Sequence, residues 1–110
     1  MLPVLLLDRA IEDTMNNNHV LDRLINKIAS RREDNLETSY TARLLSSGPV
    51  RSAQKVGEEA VEVAIEATLG NTDTLISESA DLLYHLLVLW VSMGVSSHKV
   101  WAKLEAREKI

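Results

Sequence analysis

The sequence predicts an all-α fold, a small bundle of about four helices around a central antiparallel helical hairpin. Three observations carry that prediction. Apolar residues recur at helical spacing, glycine and proline stand where helices would stop and start, and no run reads as a convincing strand. Composition agrees: there is no Phe and aromatics make up 4% of the 110 residues. The core must then come from Leu, Ile, Val and Ala, a mixture that suits helix packing better than a β-sandwich.

Residues 1–19 show little pattern beyond their leucines and contain Asn16-Asn17-Asn18. They read as an extension of uncertain role, with Met15 a candidate start of the functional unit, ahead of a domain over residues 20–110. The first helix begins at Val20, repeats Val20, Leu21, Leu24, Ile25 and Ile28 on one face, and should end near Arg32 to Asn35. A stretch from Ser39 to Leu45 follows, then Gly48-Pro49, a turn that places Pro49 in the first turn of the next helix. That long helix carries Val56, Ala60, Val63, Ala64 and Ala67 and should stop at Gly70. Asn71 or Thr72 can cap a third helix running to about Met93, before Gly94. Ser96 or Ser97 can cap a short final helix bearing Val100, Trp101 and Leu104. Trp90 and Trp101 read as core or interface residues.

Several function classes are disfavoured. A net charge of −4 argues against a protein that coats nucleic acid, which needs a basic face. The longest apolar run, Leu82 to Met93, is shorter than the roughly 20 residues a bilayer requires, so no membrane span is expected. The apolar start runs straight into Asp8, Glu12 and Asp13 without a basic leader, so no signal peptide is expected either. With no Cys there is neither a disulfide framework nor a thiolate metal site, and a cytoplasmic setting fits.

Charge is unevenly distributed along the chain. From Arg23 to Lys55 there are seven Lys or Arg and three acids; from Val56 to His98 there are seven Asp or Glu and no Lys or Arg. An ordinary surface helix mixes its signs, because opposite charges one turn apart stabilise it. Glu59, Glu62 and Glu66 stand at i, i+3 and i+7 on one stripe, with Glu58 on its flank. Glu78, Asp81 and His85 repeat that spacing on the third helix, and the short connection between the two helices would turn both stripes into a common groove. Two carboxylates about 5 Å apart repel by roughly 3 kcal/mol at an effective dielectric near 20. Several such pairs are a serious cost to a domain with about 5–15 kcal/mol of stability. A hard divalent cation, Mg²⁺ or Mn²⁺, would relieve it, because an all-carboxylate site selects such ions over zinc. Taken alone, an E-E-x-x-E stretch is the ordinary pattern of a solvated helix face; the two stripes together favour a metal. His85 has two readings, a hydrogen-bonded core residue or a contact to substrate or to a metal ligand.

These residues resemble a known family. Glu58-Glu59-Ala60-Val61-Glu62 and Glu78-Ser79-Ala80-Asp81 match the E-E-x-x-E … E-x-x-D signature of the MazG-type all-α nucleotide pyrophosphohydrolases. Within that group the chain is similar to the phosphoribosyl-ATP pyrophosphatase family, through Ser39 to Leu44, Lys55 to Ala60 and Ala80 to Leu89. The likeness covers roughly Val20 to Arg107, and Gln54 stands where that family commonly has Lys.

The resemblance implies Mg²⁺-dependent hydrolysis of the α–β phosphoanhydride of phosphoribosyl-ATP, giving phosphoribosyl-AMP and pyrophosphate in histidine biosynthesis. By position it implies Glu59, Glu62, Glu78 and Asp81 as metal ligands, with Mn²⁺ a possible substitute ion. The catalytic acids would be Glu58, Glu59 and Glu62, Glu58 lying beside the metal and helping to orient water. Arg43, Arg51 and Lys55 would contact phosphates, and Tyr40 and His85 would complete the substrate site. It also implies a homodimer. Two other readings stand beside it: a housekeeping pyrophosphohydrolase for other nucleoside triphosphates, and a non-enzymatic helical dimerisation module.

Overall fold

The computed structural model describes residues 19–109; the expectations placed on residues 1–18 lie outside the described residues. Among the described residues the chain forms five helices and no strand. Helix α1 spans Val20–Ser30. His19 caps it, Nδ1 accepting from the Leu21 N–H at 3.1 Å. It stops short of the expected Arg32 to Asn35, because the Arg31 N–H turns onto Ile28 and Ala29 carbonyls and Arg31 pairs with Asp34 at 2.9 Å.

Helix α2, Tyr40–Ser47, accounts for the fifth element. The Ser39 hydroxyl accepts from the Ala42 N–H at 3.1 Å, a side-chain cap that satisfies a first-turn donor. Only Gly48 separates α2 from α3, Pro49–Leu69, and its φ of 83° lets the chain turn between them. Pro49 sits at the start of α3, where its missing N–H costs nothing. Gly70, at φ 75°, ends α3 in the left-handed conformation, and α4 follows over Thr72–Met93. Gly94 closes α4 in the same way, at φ 70°, and α5 spans Ser97–Arg107.

The most extensive helix–helix interface is between α3 and α4, which only Gly70 and Asn71 connect. The buried core lies elsewhere. Ile28 of α1, Leu44 and Leu45 of α2, and Leu87 and Val88 of α4 form it, flanked by Leu21, Leu24, Ile25, Tyr84, Trp90 and Val91. Trp101 of α5 meets Trp90 edge to face with ring centres 5.6 Å apart, and its indole N–H donates to Asp22 of α1 at 3.2 Å. Length and composition alone would let α4 cross a bilayer, a test that core helices also pass. It carries three acids, Asp73, Glu78 and Asp81, and packs on α1, α2 and α3, so length and composition are no evidence of a span.

Candidate active site

The register of two helices builds the site. Glu59 lies at the midpoint of α3, and Glu78 and Asp81 lie one turn apart on α4. Each of these three carboxylates offers an oxygen, and the three oxygens lie within 4.8 Å of one another. Glu59 and Glu78 are half-buried and Asp81 is exposed. The chemistry of the cluster is visible at Glu78, whose carboxyl is pushed up to about 7. The first cause is hydrogen bonding to the Glu59 carboxylate, followed by loss of water and by the negative charges of Glu59, Glu62 and Asp81. The cluster therefore holds a proton near neutral pH where a cation could sit.

Hard oxygen donors suit Mg²⁺ or Mn²⁺. Octahedral Mg²⁺ holds ligands at about 2.1 Å, so oxygens on opposite sides of one ion stand about 4.2 Å apart. Small side-chain rotations separate the observed spacing from that one. The donor set fits such an ion.

The other acids are placed differently. Glu62 is close enough to act on Glu78 electrostatically but stands outside the three-oxygen cluster. Glu66 turns away, accepting from the Asn71 side-chain amide at 2.9 Å. Glu58 is exposed and pairs with Lys55, Nζ to Oε2, at 3.2 Å. Lys55 also reaches Glu59 Oε1 at 3.8 Å. Its ammonium is held above the ordinary lysine range, first by the hydrogen bond it donates to Glu58, while partial burial works against this and Tyr40, Glu58 and Glu59 add to it. So the acidic stripe of α3 has an internal counter-ion one turn upstream, which the count from Val56 onward leaves out. Among the described residues no Lys or Arg forms an ion pair with Glu78 or Asp81.

Beside the acids lies an aromatic group that the sequence did not single out as a unit. His85 is 5% exposed. Its ring joins the Tyr40 hydroxyl at 3.1 Å and the Asp81 carbonyl at 2.8 Å. Tyr84 packs against His85 and Tyr40 at 5.0 and 6.4 Å between ring centres, and its hydroxyl bonds to Thr41. Burial is the main reason the Tyr84 hydroxyl holds its proton above the usual range. Arg43 sits 5.7 Å from the centre of the Tyr40 ring while its guanidinium donates to the Leu36 carbonyl at 2.8 Å. Arg51 is exposed on α3. Tyr84 and Thr41 lie within the motif stretches, but nothing in their spacing shows that two hydroxyls 43 positions apart meet.

Comparison with known proteins agrees with this picture. The family model described as phosphoribosyl-ATP pyrophosphohydrolase matches residues 21–108. A phosphoribosyl-ATP pyrophosphatase of Azospirillum brasilense is 54% identical over 89 residues, covering 81% of this chain and 80% of that protein. One of Granulibacter bethesdensis is 52% identical over 98 residues, 89% of this chain and 61% of the relative. One of Gluconobacter oxydans is 53% identical over 89 residues, 81% of this chain and 67% of the relative. With most of its length matched, and with the acids of α3 and α4 gathered as described, the chain belongs to the phosphoribosyl-ATP pyrophosphohydrolase family.

Proposed function

We propose that this chain hydrolyses phosphoribosyl-ATP, the substrate in its relatives' name, at the α–β phosphoanhydride, using the carboxylate cluster between α3 and α4, and that it does so with Mg²⁺ in the cytoplasm. The observation that carries the assignment of the site is the convergence of Glu59, Glu78 and Asp81 from two helices within 4.8 Å. Glu59, Glu78 and Asp81 would hold the ion, with Glu62 brought in by a rotation of its side chain; Mn²⁺ would serve in the same place. When bound, the ion supplies charge neutralisation and Lewis acidity at the phosphoryl oxygens.

The chain's own residues do the rest. Phosphoanhydride hydrolysis asks the protein for positioning and charge balance more than for covalent chemistry. Glu58, next to Glu59 on α3, would accept a proton from the attacking water or orient it. Lys55 would exchange its carboxylate partners for phosphate oxygens, and Arg51, a turn earlier on the same helix, would extend that grip. Arg43, one turn into α2, would reach the phosphates as well, and Tyr40, which opens that helix, would complete the substrate site.

The functional unit is proposed to be a homodimer, with α3 and α4 as an antiparallel hairpin at its centre. Val61, Ile65 and Leu69 of α3 are 58%, 46% and 66% exposed, and Ile76 and Leu83 of α4 are 69% and 46% exposed. So much exposed apolar side chain on one helix pair asks for a cover. A monomeric mass in light scattering at micromolar concentration would remove this part of the proposal.

The reaction is tested by measuring pyrophosphate release from phosphoribosyl-ATP with and without Mg²⁺, alongside a panel of nucleoside triphosphates. Release that needs Mg²⁺ and prefers phosphoribosyl-ATP is expected. Equal turnover of the panel would favour the housekeeping reading instead.

A further inference from the structure

His85 is one turn beyond Asp81 on α4, and its ring is almost wholly enclosed. A carbonyl oxygen can only accept, so the ring proton sits on Nδ1 and donates to the Asp81 carbonyl at 2.8 Å. In the neutral ring Nε2 is then an acceptor, and the Tyr40 hydroxyl donates to it at 3.1 Å. Both nitrogens are engaged, which leaves no polar atom of His85 for a phosphate. A Leu would fill the same space at no cost in desolvation, so what the imidazole adds is the pair of directed bonds.

The group at the far end of those bonds is different. Tyr40 is 43% exposed, opens α2, and carries Arg43 near its ring. One residue on, Thr41 bonds to Tyr84, so two consecutive residues of α2 are tied to two consecutive residues of α4. We propose that His85 is a positioning residue that holds Tyr40, and with it Arg43, in fixed register with the carboxylate turn of α4, so that the nucleotide meets both at once. This rests on the functional reading above and departs from a direct contact between His85 and substrate.

The test separates the two ends of the imidazole. In H85N the shorter amide can still reach the Asp81 carbonyl but not Tyr40; in H85Q the longer one can reach Tyr40. Y40F removes only the donor. Y40F and H85N are each expected to raise KM for phosphoribosyl-ATP about fivefold, the worth of one net hydrogen bond, with a change in kcat below about twofold. The double variant should be no worse than either single one, because both break the same link. H85Q should recover most of the loss. Unchanged KM in Y40F, additive effects in the double variant, or an H85Q as poor as H85N would each overturn the proposal and leave His85 a packed core residue. If H85N does not fold, Y40F, at a partly exposed ring, decides the question. Nitrogen-15 NMR of the His85 ring supplies a readout that needs no substrate: Y40F should shift Nε2 and leave Nδ1 protonated. If Y40F shifts Nε2 but the wild-type protein releases no pyrophosphate, the functional reading fails while the tie stands; an unshifted Nε2 in Y40F would sink the tie.

Discussion

The two halves of α4 live in different surroundings, although they belong to one uninterrupted helix. From Thr72 to Tyr84 no residue is fully buried, and this half carries Asp73, Glu78 and Asp81. From His85 onward come the helix's three buried residues, His85, Leu87 and Val88, and Leu87 and Val88 form the core with Ile28, Leu44 and Leu45. The first half thus concentrates negative charge and the second supplies the burial that stabilises the fold. A small domain can thus support a cluster of like charges by carrying it on an element whose other end is firmly anchored. His85 stands at the boundary, with a carboxylate helix turn on one side and the core on the other.

That division can be broken at either end. Glu59→Gln and Asp81→Asn should reduce pyrophosphate release by about a thousandfold, on the scale of losing a preorganised electrostatic contact, while circular dichroism shows unchanged helix content. A variant that kept its activity would dissolve the functional half of the comparison. Leu87→Ala should act in the opposite sense. Removing a fully buried side chain costs about 3 kcal/mol, and in a domain of this size that lowers Tm by about 15 °C. Metal affinity measured well below the Tm of the variant should not change.

The third prediction concerns pH. The Glu78 carboxyl is pushed from 4.5 to about 7, so the folded state binds the proton more tightly than the unfolded chain does. Metal-free protein should therefore be most stable below about pH 4.5 as far as this group is concerned, and should lose that contribution as pH rises through about 7. Added Mg²⁺ should reverse the trend at pH 8, and Glu78→Gln should flatten it. Scanning calorimetry across pH with and without the ion checks all three. The smallest effect is expected at Ser52, a wholly buried residue of α3 whose hydroxyl has no hydrogen-bond partner among the described residues. Ser52→Ala should raise stability by about 1 kcal/mol, measured by urea denaturation, with turnover unchanged.

Much of the architecture could be read from residues alone. Gly70 and Gly94 end α3 and α4 because they are the residues that tolerate positive φ there, and Pro49 opens α3 for an equally local reason. Helix α2 was harder to see. Its eight residues hold only a short apolar face, Ala42, Leu44 and Leu45, and the Ser39 cap came to light only in the structure. The convergence of Glu59, Glu78 and Asp81 followed from helical spacing and a short connection. What spacing could not convey was the diversion of Glu66 to Asn71 or the pairing of Lys55 with Glu58, since both depend on rotamers. The Tyr40–His85 bond was out of reach for another reason: it joins residues 45 positions apart, and only packing brings them together.

The spacing of the acids about the turn has a last consequence. Glu59 lies eleven residues before Gly70 and Asp81 eleven after it. Each arm therefore runs about 16 Å from turn to carboxylate. Adding or deleting one residue in either arm would swing its acid by about 100° around the helix axis and slide it by about 1.5 Å. Lineages of this chain can therefore vary in length ahead of α1 or beyond α5, but the segment from Glu59 to Asp81 works as a ruler whose divisions cannot be recounted.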